Sequence, residues 1–285
     1  MSDKITITSG ESSLTVDLFG AEIKSLKKGE KEYIWRGDEN FWGSTAPILF
    51  PICGALKDDV MHYGGKEYNV PKHGFANHNE FTLSEKTENS ITLSFRSNEN
   101  TLKFYPFDFI FSVKFELNDN KLNVYYIVEN TSNKNMYFSL GAHEGFALDG
   151  GVEGAKVEFD KNDTLYTYFV TGPLLNGLKK KVTDNENSIV LSNKDFEVDA
   201  FIFKNIKSKK LSIYDKSGVK KITYIYDDFK NLLLWTKPGA EFLCVEPWNG
   251  MPDSIDSDCD FSNKEDIIEL KGETSITFTH TIIAE

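Results

Sequence analysis

Apolar and polar residues alternate in short runs along most of the chain, a pattern typical of half-buried β-strands. The alternation is nearly strict over residues 121–129 and 274–283, and no stretch shows the 3.6-residue period of an amphipathic helix of three turns. Turn-forming Gly, Asn and Asp residues separate the runs. The pattern predicts an all-β fold, and we expect one large antiparallel β-sandwich with little helix, in which residues 1–285 form a single domain.

The most specific turn signal is Gly64-Gly65, which joins residues 60–63 to residues 66–70. Two glycines supply the positive φ angles that a two-residue hairpin turn requires, so this segment predicts a hairpin. Further strands are predicted at residues 5–9, 13–19, 20–26, 32–35, 81–86, 90–97, 107–117, 121–129, 136–140, 156–160, 188–191, 200–203, 211–215, 222–226, 232–236 and 274–283.

Residues 40–54 interrupt this alternation. The segment is apolar, is bracketed by prolines and glycines and has no clean period. Proline and glycine at this density exclude a long helix, so we expect a buried loop with at most one helical turn. Irregular segments that are buried often line a binding site.

Residues 242–249, Phe-Leu-Cys-Val-Glu-Pro-Trp-Asn, combine a core-like apolar run with a carboxylate. Pro247 cannot donate to a β-ladder, and we expect it to end the strand. Two interpretations of Glu246 stay open, because a charged carboxylate is costly to bury. Either the strand emerges into water there, or Glu246 lies at the rim of an apolar cleft with a raised pKa and exchanges protons. Trp248 shares its face, and a carboxylate beside an indole suits a sugar ring.

Composition narrows the class of partner. The net charge is −12, from 44 acidic and 32 basic residues, which disfavours nucleic acid, anionic membranes and heavily phosphorylated ligands. The three cysteines show no paired spacing, which is typical of free thiols in a reducing cytoplasm. No export signal and no apolar run of about 20 residues is visible. We therefore expect a cytoplasmic protein that contacts no membrane.

Isolated residues at strand ends are the candidates for chemistry. His143 lies among small residues at the end of a predicted strand, and His73 lies between Pro71 and Gly74. Asp199 precedes an apolar run. Each also has a simpler interpretation as a turn or surface residue. No two histidines have metal-ligand spacing and no Cys/His cluster exists, so we expect no tight metal site. Neither a phosphate-binding glycine loop nor a nucleophile elbow is present.

Five motifs occur in order along nearly the whole chain. They are Phe-Trp-Gly with Pro-Ile-Leu-Phe-Pro at residues 41–51, Pro-Lys-His-Gly-Phe-Ala at 71–76, Leu-Gly-Ala-His at 140–143, Asp-Ala-Phe-Ile-Phe at 199–203 and Cys-Val-Glu-Pro-Trp at 244–248. Together they resemble the aldose 1-epimerase (galactose mutarotase-like) superfamily, especially its bacterial branch with the PILFP, HGFA and EPW pattern. The resemblance implies a β-supersandwich with an open cleft across one sheet and a reaction that needs no cofactor.

The resemblance also implies roles for individual residues. Glu246 matches the general base and His143 the general acid of anomer exchange. His73 matches a second histidine that hydrogen-bonds the substrate, and Asp199 matches a carboxylate that binds sugar hydroxyls. Trp42 and Trp248 complete the expected substrate-binding set. The implied partner is a small-molecule sugar, and we expect a monomer or a homodimer.

This chain departs from the family pattern at several positions. Ala55 and Asn77 stand where arginines are expected, and Glu144 follows the histidine motif in place of proline. Lys57 or Lys72 could replace a lost cation, although an ammonium lacks the forked geometry of a guanidinium. If Glu144 lies close to the preceding histidine, its charge should raise the pKa of that histidine.

Three functions therefore stay open. The leading hypothesis is a hexose mutarotase whose altered substrate clamp reduces activity or shifts the substrate. A hexose-6-phosphate 1-epimerase ranks lower, because phosphate capture favours arginine clusters. A non-catalytic carbohydrate-binding or sensing protein is the third, and measurable sugar binding without anomer exchange would establish it.

Overall fold

The computed structural model describes residues 3–285. Over this range the regular structure consists of β-strands and single turns of 3₁₀ helix, with no α-helix. The strands are β1 (Lys4–Ser9), β2 (Ser12–Asp17), β3 (Ile23–Lys28), β4 (Lys31–Glu32), β5 (Val60–Tyr63), β6 (Lys66–Asn69), β7 (Thr82–Lys86), β8 (Ser90–Arg96), β9 (Phe109–Asn118), β10 (Lys121–Asn130), β11 (Met136–Phe138), β12 (Leu140–Gly141), β13 (Glu144–Ala147), β14 (Lys156–Asp163), β15 (Tyr166–Thr171), β16 (Leu174–Lys181), β17 (Glu186–Val190), β18 (Phe201–Phe203), β19 (Lys210–Tyr214), β20 (Lys220–Ile225), β21 (Asn231–Trp235), β22 (Phe242–Asn249), β23 (Ile268–Leu270) and β24 (Ser275–Ala284). The 3₁₀ turns are Lys57–Asp59, Ala76–His78, Thr101–Lys103, Asn193–Phe196 and Phe261–Asn263.

Two large antiparallel sheets form the body of the molecule. One has nine strands in the order β17-β14-β19-β20-β24-β10-β9-β8-β7. The other has seven strands, in the order β12-β22-β21-β18-β15-β16 with β13 also paired to β22. Ring contacts join the two sheets, among them Phe146 with Tyr224 at 5.8 Å and Phe159 with Phe203 at 6.4 Å between centroids. The predicted all-β antiparallel sandwich is confirmed.

The strands with strict alternation in the sequence bury one face in the core. Along β9 the side chains alternate between buried and half-buried, and β10 shows the same pattern. The apolar cluster between the sheets extends from Ile7 to Ala284. A cluster with members from both ends of the chain supports the proposal of a single domain.

The central feature of the seven-stranded sheet is β22, in which every residue is buried. Our prediction that Pro247 ends this strand is wrong, because β22 continues to Asn249. The ladder is interrupted instead in the neighbouring segment that pairs with β22, where β12 stops at Gly141 and β13 begins only at Glu144. The carbonyl of Ala142, which faces Pro247, accepts the indole N–H of Trp248 at 3.2 Å.

Two segments differ from the pattern in the sequence. The hairpin of β15 and β16 was not predicted, because five exposed residues in succession end β16 and hide any alternation. The predicted buried loop at residues 40–54 contains no helical turn, and a 3₁₀ turn follows it at Lys57–Asp59. Leu49 and Phe50 are fully buried and form isolated bridges to Gly141 and Gly74. The loop thereby ties the histidine-bearing segments to the sheet.

Candidate active site

The face of the seven-stranded sheet that points away from the main core carries an open cavity of about 330 Å³. Small-ligand pockets usually enclose about 300–1,000 Å³, so the cavity suits one small molecule. Every residue that the sequence indicated for a sugar site lines it, namely Glu246, His143, His73, Asp199, Trp42 and Trp248. Since these residues are distant in sequence, only the fold brings them together.

Glu246 lies on β22 with only 2% of its surface exposed. The interpretation in which the strand emerges into water at this residue is therefore wrong. Burial raises the pKa of Glu246 well above its ordinary value, because water no longer stabilises the carboxylate. The positive charge of Lys72 opposes this rise, while the negative charges of Asp199 and Glu144 add to it.

His143 occupies the gap between β12 and β13, opposite Glu246. Its Nε2 lies 3.3 Å from Oε2 of Glu246. The glycines on either side make room for indole rings: a Cβ at Gly141 would lie 2.5 Å from Trp248, and one at Gly145 would lie 2.8 Å from Trp42. The small residues that the sequence shows beside His143 therefore serve the aromatic walls of the cavity.

Burial also sets the protonation of His143. It lowers the pKa of the imidazole to about 3, and Nδ1 has no hydrogen-bond partner among the described residues. Because burial raises the pKa of Glu246 and lowers that of His143, it favours the neutral form of both groups, an arrangement in which the pair holds one transferable proton. Trp42 covers one side of this pair, since its ring stacks on His143 with centroids 5.0 Å apart.

His73 faces the same space from a loop. Its backbone is left-handed, with φ of 67°, and its Nδ1 accepts a hydrogen bond from the amide of Gly54 at 3.2 Å. Burial, together with the nearby His143 and Lys72, lowers the pKa of His73 well below its ordinary value. The ring is therefore neutral and carries its proton on Nε2, which leaves a hydrogen-bond donor for a ligand. The His73 and His143 ring centroids lie 6.0 Å apart.

The charged rim of the cavity consists of Asp199 and Lys72. Asp199 is exposed, and one of its oxygens accepts the amide of Ala200 at 2.7 Å. Within the described part of the chain the ammonium of Lys72 makes no ion pair, so it stays available to a ligand. Lys57, the other lysine considered as a substitute cation, instead donates to the carbonyl of Ser257 at 3.0 Å.

The two positions that lack an arginine have different surroundings. Ala55 is buried and lies outside the cavity lining. Asn77 lines the cavity, and its Oδ1 is buried without a hydrogen-bond partner in residues 3–285. An unpaired buried amide oxygen is costly unless a ligand or water satisfies it. Asn77 thus offers a polar contact to a ligand, whereas the family pattern indicated only that an arginine is missing at this position.

Sequence reasoning missed Trp235 as a site residue. This residue ends β21 and pairs with Cys244, two residues from Glu246. Its ring lies edge-on to His143 at 5.9 Å and to Trp42 at 5.7 Å between centroids. The sequence does show a tryptophan near the end of a predicted strand. It does not show that this strand lies beside the Glu246 strand, because strand order cannot be read from one sequence.

Glu144 does not face the cavity. Its side chain points into the core, where Oε2 accepts a hydrogen bond from the hydroxyl of Tyr224 at 2.8 Å and Oε1 lies 2.9 Å from Nε2 of His280. The expected effect of its charge on the pKa of His143 is not found; the charge acts on the pKa of Glu246.

Three possible metal ligands meet beside the cavity. Donor atoms of His143, Cys244 and Glu246 all lie within 4.8 Å of one another, an assembly that sequence spacing did not indicate. The thiol of Cys244 is fully buried, and burial raises its pKa well above the ordinary value. Because a thiol must lose its proton to bind a metal, the absence of a tight metal site stays our expectation.

Comparison with known proteins adds an independent view of the fold and of the sequence as a whole. A family model described as Aldose 1-epimerase matches residues 3–276. The plasmid-encoded Protein LacX of Lactococcus lactis subsp. lactis is 32% identical over 270 residues, which cover 88% of this chain and 90% of LacX.

Two solved structures are similar over almost their whole length. A galactose mutarotase related enzyme from Lactobacillus acidophilus has 29% identity and a TM-score of 0.94, with 99% of this chain and 97% of that one covered. A galactose mutarotase-like protein from Lactobacillus casei ATCC 334 has 28% identity and the same TM-score of 0.94, with coverage of 99% and 100%. No helix within residues 3–285 has the length and apolarity to cross a membrane.

Proposed function

Because the chain belongs to the aldose 1-epimerase family, we propose that it is a mutarotase, an isomerase that interconverts the α and β anomers of a hexose by acid–base catalysis. The observation that carries the proposal is the 3.3 Å approach of His143 Nε2 to Glu246 Oε2 within the aromatic cavity. The proposed reaction requires no cofactor, as the resemblance of the motifs implies.

The proton count of the pair fits this reaction. Anomer exchange needs one proton removed from the C1 hydroxyl and one delivered to the ring oxygen. Burial favours a single proton on Glu246 beside a neutral His143. Transfer of that proton between the two groups gives a carboxylate and an imidazolium, so Glu246 can then take the hydroxyl proton while His143 protonates the ring oxygen.

The remaining steps need no further group. The bond between C1 and the ring oxygen breaks, the aldehyde turns about the C1–C2 bond, and the ring closes on the other face as both proton transfers reverse. His73 offers its Nε2 proton to a sugar oxygen, and Asp199 offers a carboxylate oxygen to hydroxyls. The indoles of Trp42, Trp235 and Trp248 supply flat apolar walls for the C–H faces of the ring.

Exchange spectroscopy by NMR on glucose and galactose tests the proposal. We expect the wild type to accelerate anomer exchange and Glu246→Gln to lower the catalysed rate about 10²–10⁴-fold, the usual range for one acid–base group. Glu158→Gln is the matched control, because that carboxylate lies outside the cavity lining and pairs with Lys156 at 2.7 Å. An unchanged rate in Glu246→Gln would contradict the assignment. Calorimetric sugar binding with no exchange by the wild type would favour a binding protein instead.

One observation supports hexose 6-phosphates as alternative substrates. The Lys72 ammonium lies at the cavity rim without an ion pair among the described residues, and a free ammonium can bind a phosphate. Exchange rates on glucose and glucose 6-phosphate separate the two substrates. If the phosphate is bound, Lys72→Met will raise KM for glucose 6-phosphate and leave KM for glucose nearly unchanged. Equal effects on both sugars would count against phosphate recognition.

A further inference from the structure

A second buried carboxylate lies directly behind the acid–base pair. Glu144 follows His143 in sequence and has only 2% of its surface exposed. It begins β13 and pairs with Val245, which precedes Glu246 on β22. Successive residues on a strand point to opposite faces, so Glu144 faces the core while its neighbours face the cavity.

The partners of Glu144 come from the opposite sheet. Tyr224 on β20 donates its hydroxyl to the carboxylate at 2.8 Å, and His280 on β24 brings Nε2 to 2.9 Å. The Tyr224 and His280 rings are stacked, with centroids 5.2 Å apart and planes 6° apart. Tyr126 on β10 packs on the other side of His280 at 5.4 Å. This cluster anchors the first residue of β13 to the nine-stranded sheet.

Burying a carboxylate at a core position is energetically unfavourable. An apolar residue of similar size usually gives equal or greater stability than a buried ionic group. The anchored residue is the one that follows the gap occupied by His143, where the β-ladder is interrupted. An effect on the site therefore explains a carboxylate at this position better than stability alone does.

We propose that Glu144 is a positioning residue that acts through the acid–base pair: its contact with Tyr224 fixes the backbone next to His143, and its negative charge behind β22 helps to keep the shared proton on the pair. The inference rests on the proposed function for its catalytic meaning. The electrostatic part is independent of catalysis, because it concerns the proton held by Glu246.

Other charged groups around the pair act in known directions. The positive charge of Lys72 favours loss of the proton from Glu246, and the negative charge of Asp199 favours its retention. His143 senses Lys72 and Glu22, and the Cys244 thiol and His73 lie beside the pair. Glu144 differs from these groups in the hydrogen bond that it accepts from Tyr224 in the opposite sheet.

The test is the pH titration of Glu246 itself. The carbonyl band of its protonated carboxyl can be followed by infrared difference spectroscopy, with Glu246→Gln as the reference that lacks the band. In Glu144→Gln we expect the band to disappear at a pH lower by about half a unit or more, since removal of a like charge favours ionisation. Tyr224→Phe keeps the carboxylate and should not reproduce this downward shift.

Enzyme kinetics give a second readout. The alkaline limb of the anomer-exchange rate should move to lower pH in Glu144→Gln, whereas a purely structural defect would lower the rate at every pH. Glu144→Leu, which also lacks the charge and fills similar volume, should show the same shift. Unshifted titration of Glu246 in a folded variant would overturn the inference. Failure of both variants to fold would also overturn it, because Glu144 would then be a structural core residue.

The two proposals fail in distinguishable ways. If the wild type exchanges no anomers but the infrared band still shifts in Glu144→Gln, the proposed function is wrong and the electrostatic inference holds. If exchange depends on Glu246 but the titration is unaffected, the function holds and the role of Glu144 is wrong.

Discussion

The two faces of the β13–β22 strand pair each carry a buried carboxylate beside an imidazole, and the two pairs have different surroundings. On the cavity face, His143 and Glu246 lie 3.3 Å apart; within the described chain, Nδ1 has no hydrogen-bond partner in either His143 or His280. On the core face, His280 and Glu144 lie 2.9 Å apart, and Tyr224 donates to the same carboxylate.

The difference teaches that access to a cavity, rather than residue type, distinguishes the two pairs. The core pair is enclosed by aromatic rings, so its groups have no ligand to meet. The cavity pair faces open space of about 330 Å³, where we expect it to exchange its proton with a bound molecule. Five variants, one control variant and one pH series can break or sharpen this comparison.

The largest expected effect separates the two histidines. His143→Gln should lower the rate of anomer exchange about 10²–10⁴-fold while the protein stays folded. His280→Gln should reduce the rate of the folded fraction less than about tenfold, since the ring packs on the core residues Tyr126 and Tyr224. It should lower the melting temperature because a 1% exposed core ring is replaced. NMR exchange and thermal melts check both variants. Similar rate losses in the two would erase the distinction.

Opposite changes in stability are expected for the two carboxylates. The unfolded chain ionises Glu246 at its ordinary value, whereas the raised folded pKa delays ionisation, so the free energy of unfolding falls as pH rises between the two values. Glu246→Gln removes this loss and should raise the melting temperature at pH 7. Glu144→Gln weakens the hydrogen bond from Tyr224 and should destabilise by about 2 kcal/mol. Urea unfolding at pH 7 measures both, and equal signs would contradict the comparison.

A smaller effect is expected from the tyrosine that caps the core carboxylate. Tyr224→Phe removes the 2.8 Å hydrogen bond to Glu144 and keeps the stacked ring. The free energy of unfolding should fall by about 1–2 kcal/mol, the range for loss of one buried hydrogen bond. Tyr214→Phe serves as a control, since its hydroxyl bonds the half-exposed Glu158 at 3.3 Å. A loss no larger than that of the control would mean that the core pair is loosely held.

The smallest expected change is in the acid limb of the rate profile. An ordinary imidazole with a pKa near 6.5 would be almost fully protonated at about pH 5. The pKa of His143 is lowered to about 3, so His143 stays neutral over that range and takes up no second proton. The exchange rate at about pH 5 should therefore lie within about twofold of the rate at pH 7. A steep fall below pH 6.5 would show that His143 titrates like an exposed histidine.

Much of the fold was predictable because alternation is a local signal. β9 and β10 follow it residue by residue, and Gly64-Gly65 correctly marked the hairpin of β5 and β6. β16 was not predictable, since it buries only Leu175 and is held by its ladder with β15. A strand that is stabilised by backbone pairing rather than by a buried face shows no alternation of apolar and polar residues.

The candidate site shows the same division. Glu246 and His143 stood out as polar residues at the ends of apolar runs, and their motifs fixed the expected roles. The position of Trp235 depends on strand order, and the effect of Pro247 falls on a neighbouring segment, so neither could be seen locally. The inward direction of Glu144 was readable, because it shares the parity of the core residue Phe146 along β13.

The hydrogen bond from Trp248 to the carbonyl of Ala142 has a consequence for selectivity. It uses the only polar atom of the indole, so a sugar resting on Trp248 meets carbon and π-electrons but no donor. We expect this apolar surface to contact the C–H face of any hexose chair in the same way and not to distinguish the orientation of individual hydroxyls. Under the proposed function, we expect discrimination between epimers to depend on the polar lining residues His73, Asp199, Lys72 and Asn77, where substitutions would change the preferred sugar and leave the Trp248 contact in place.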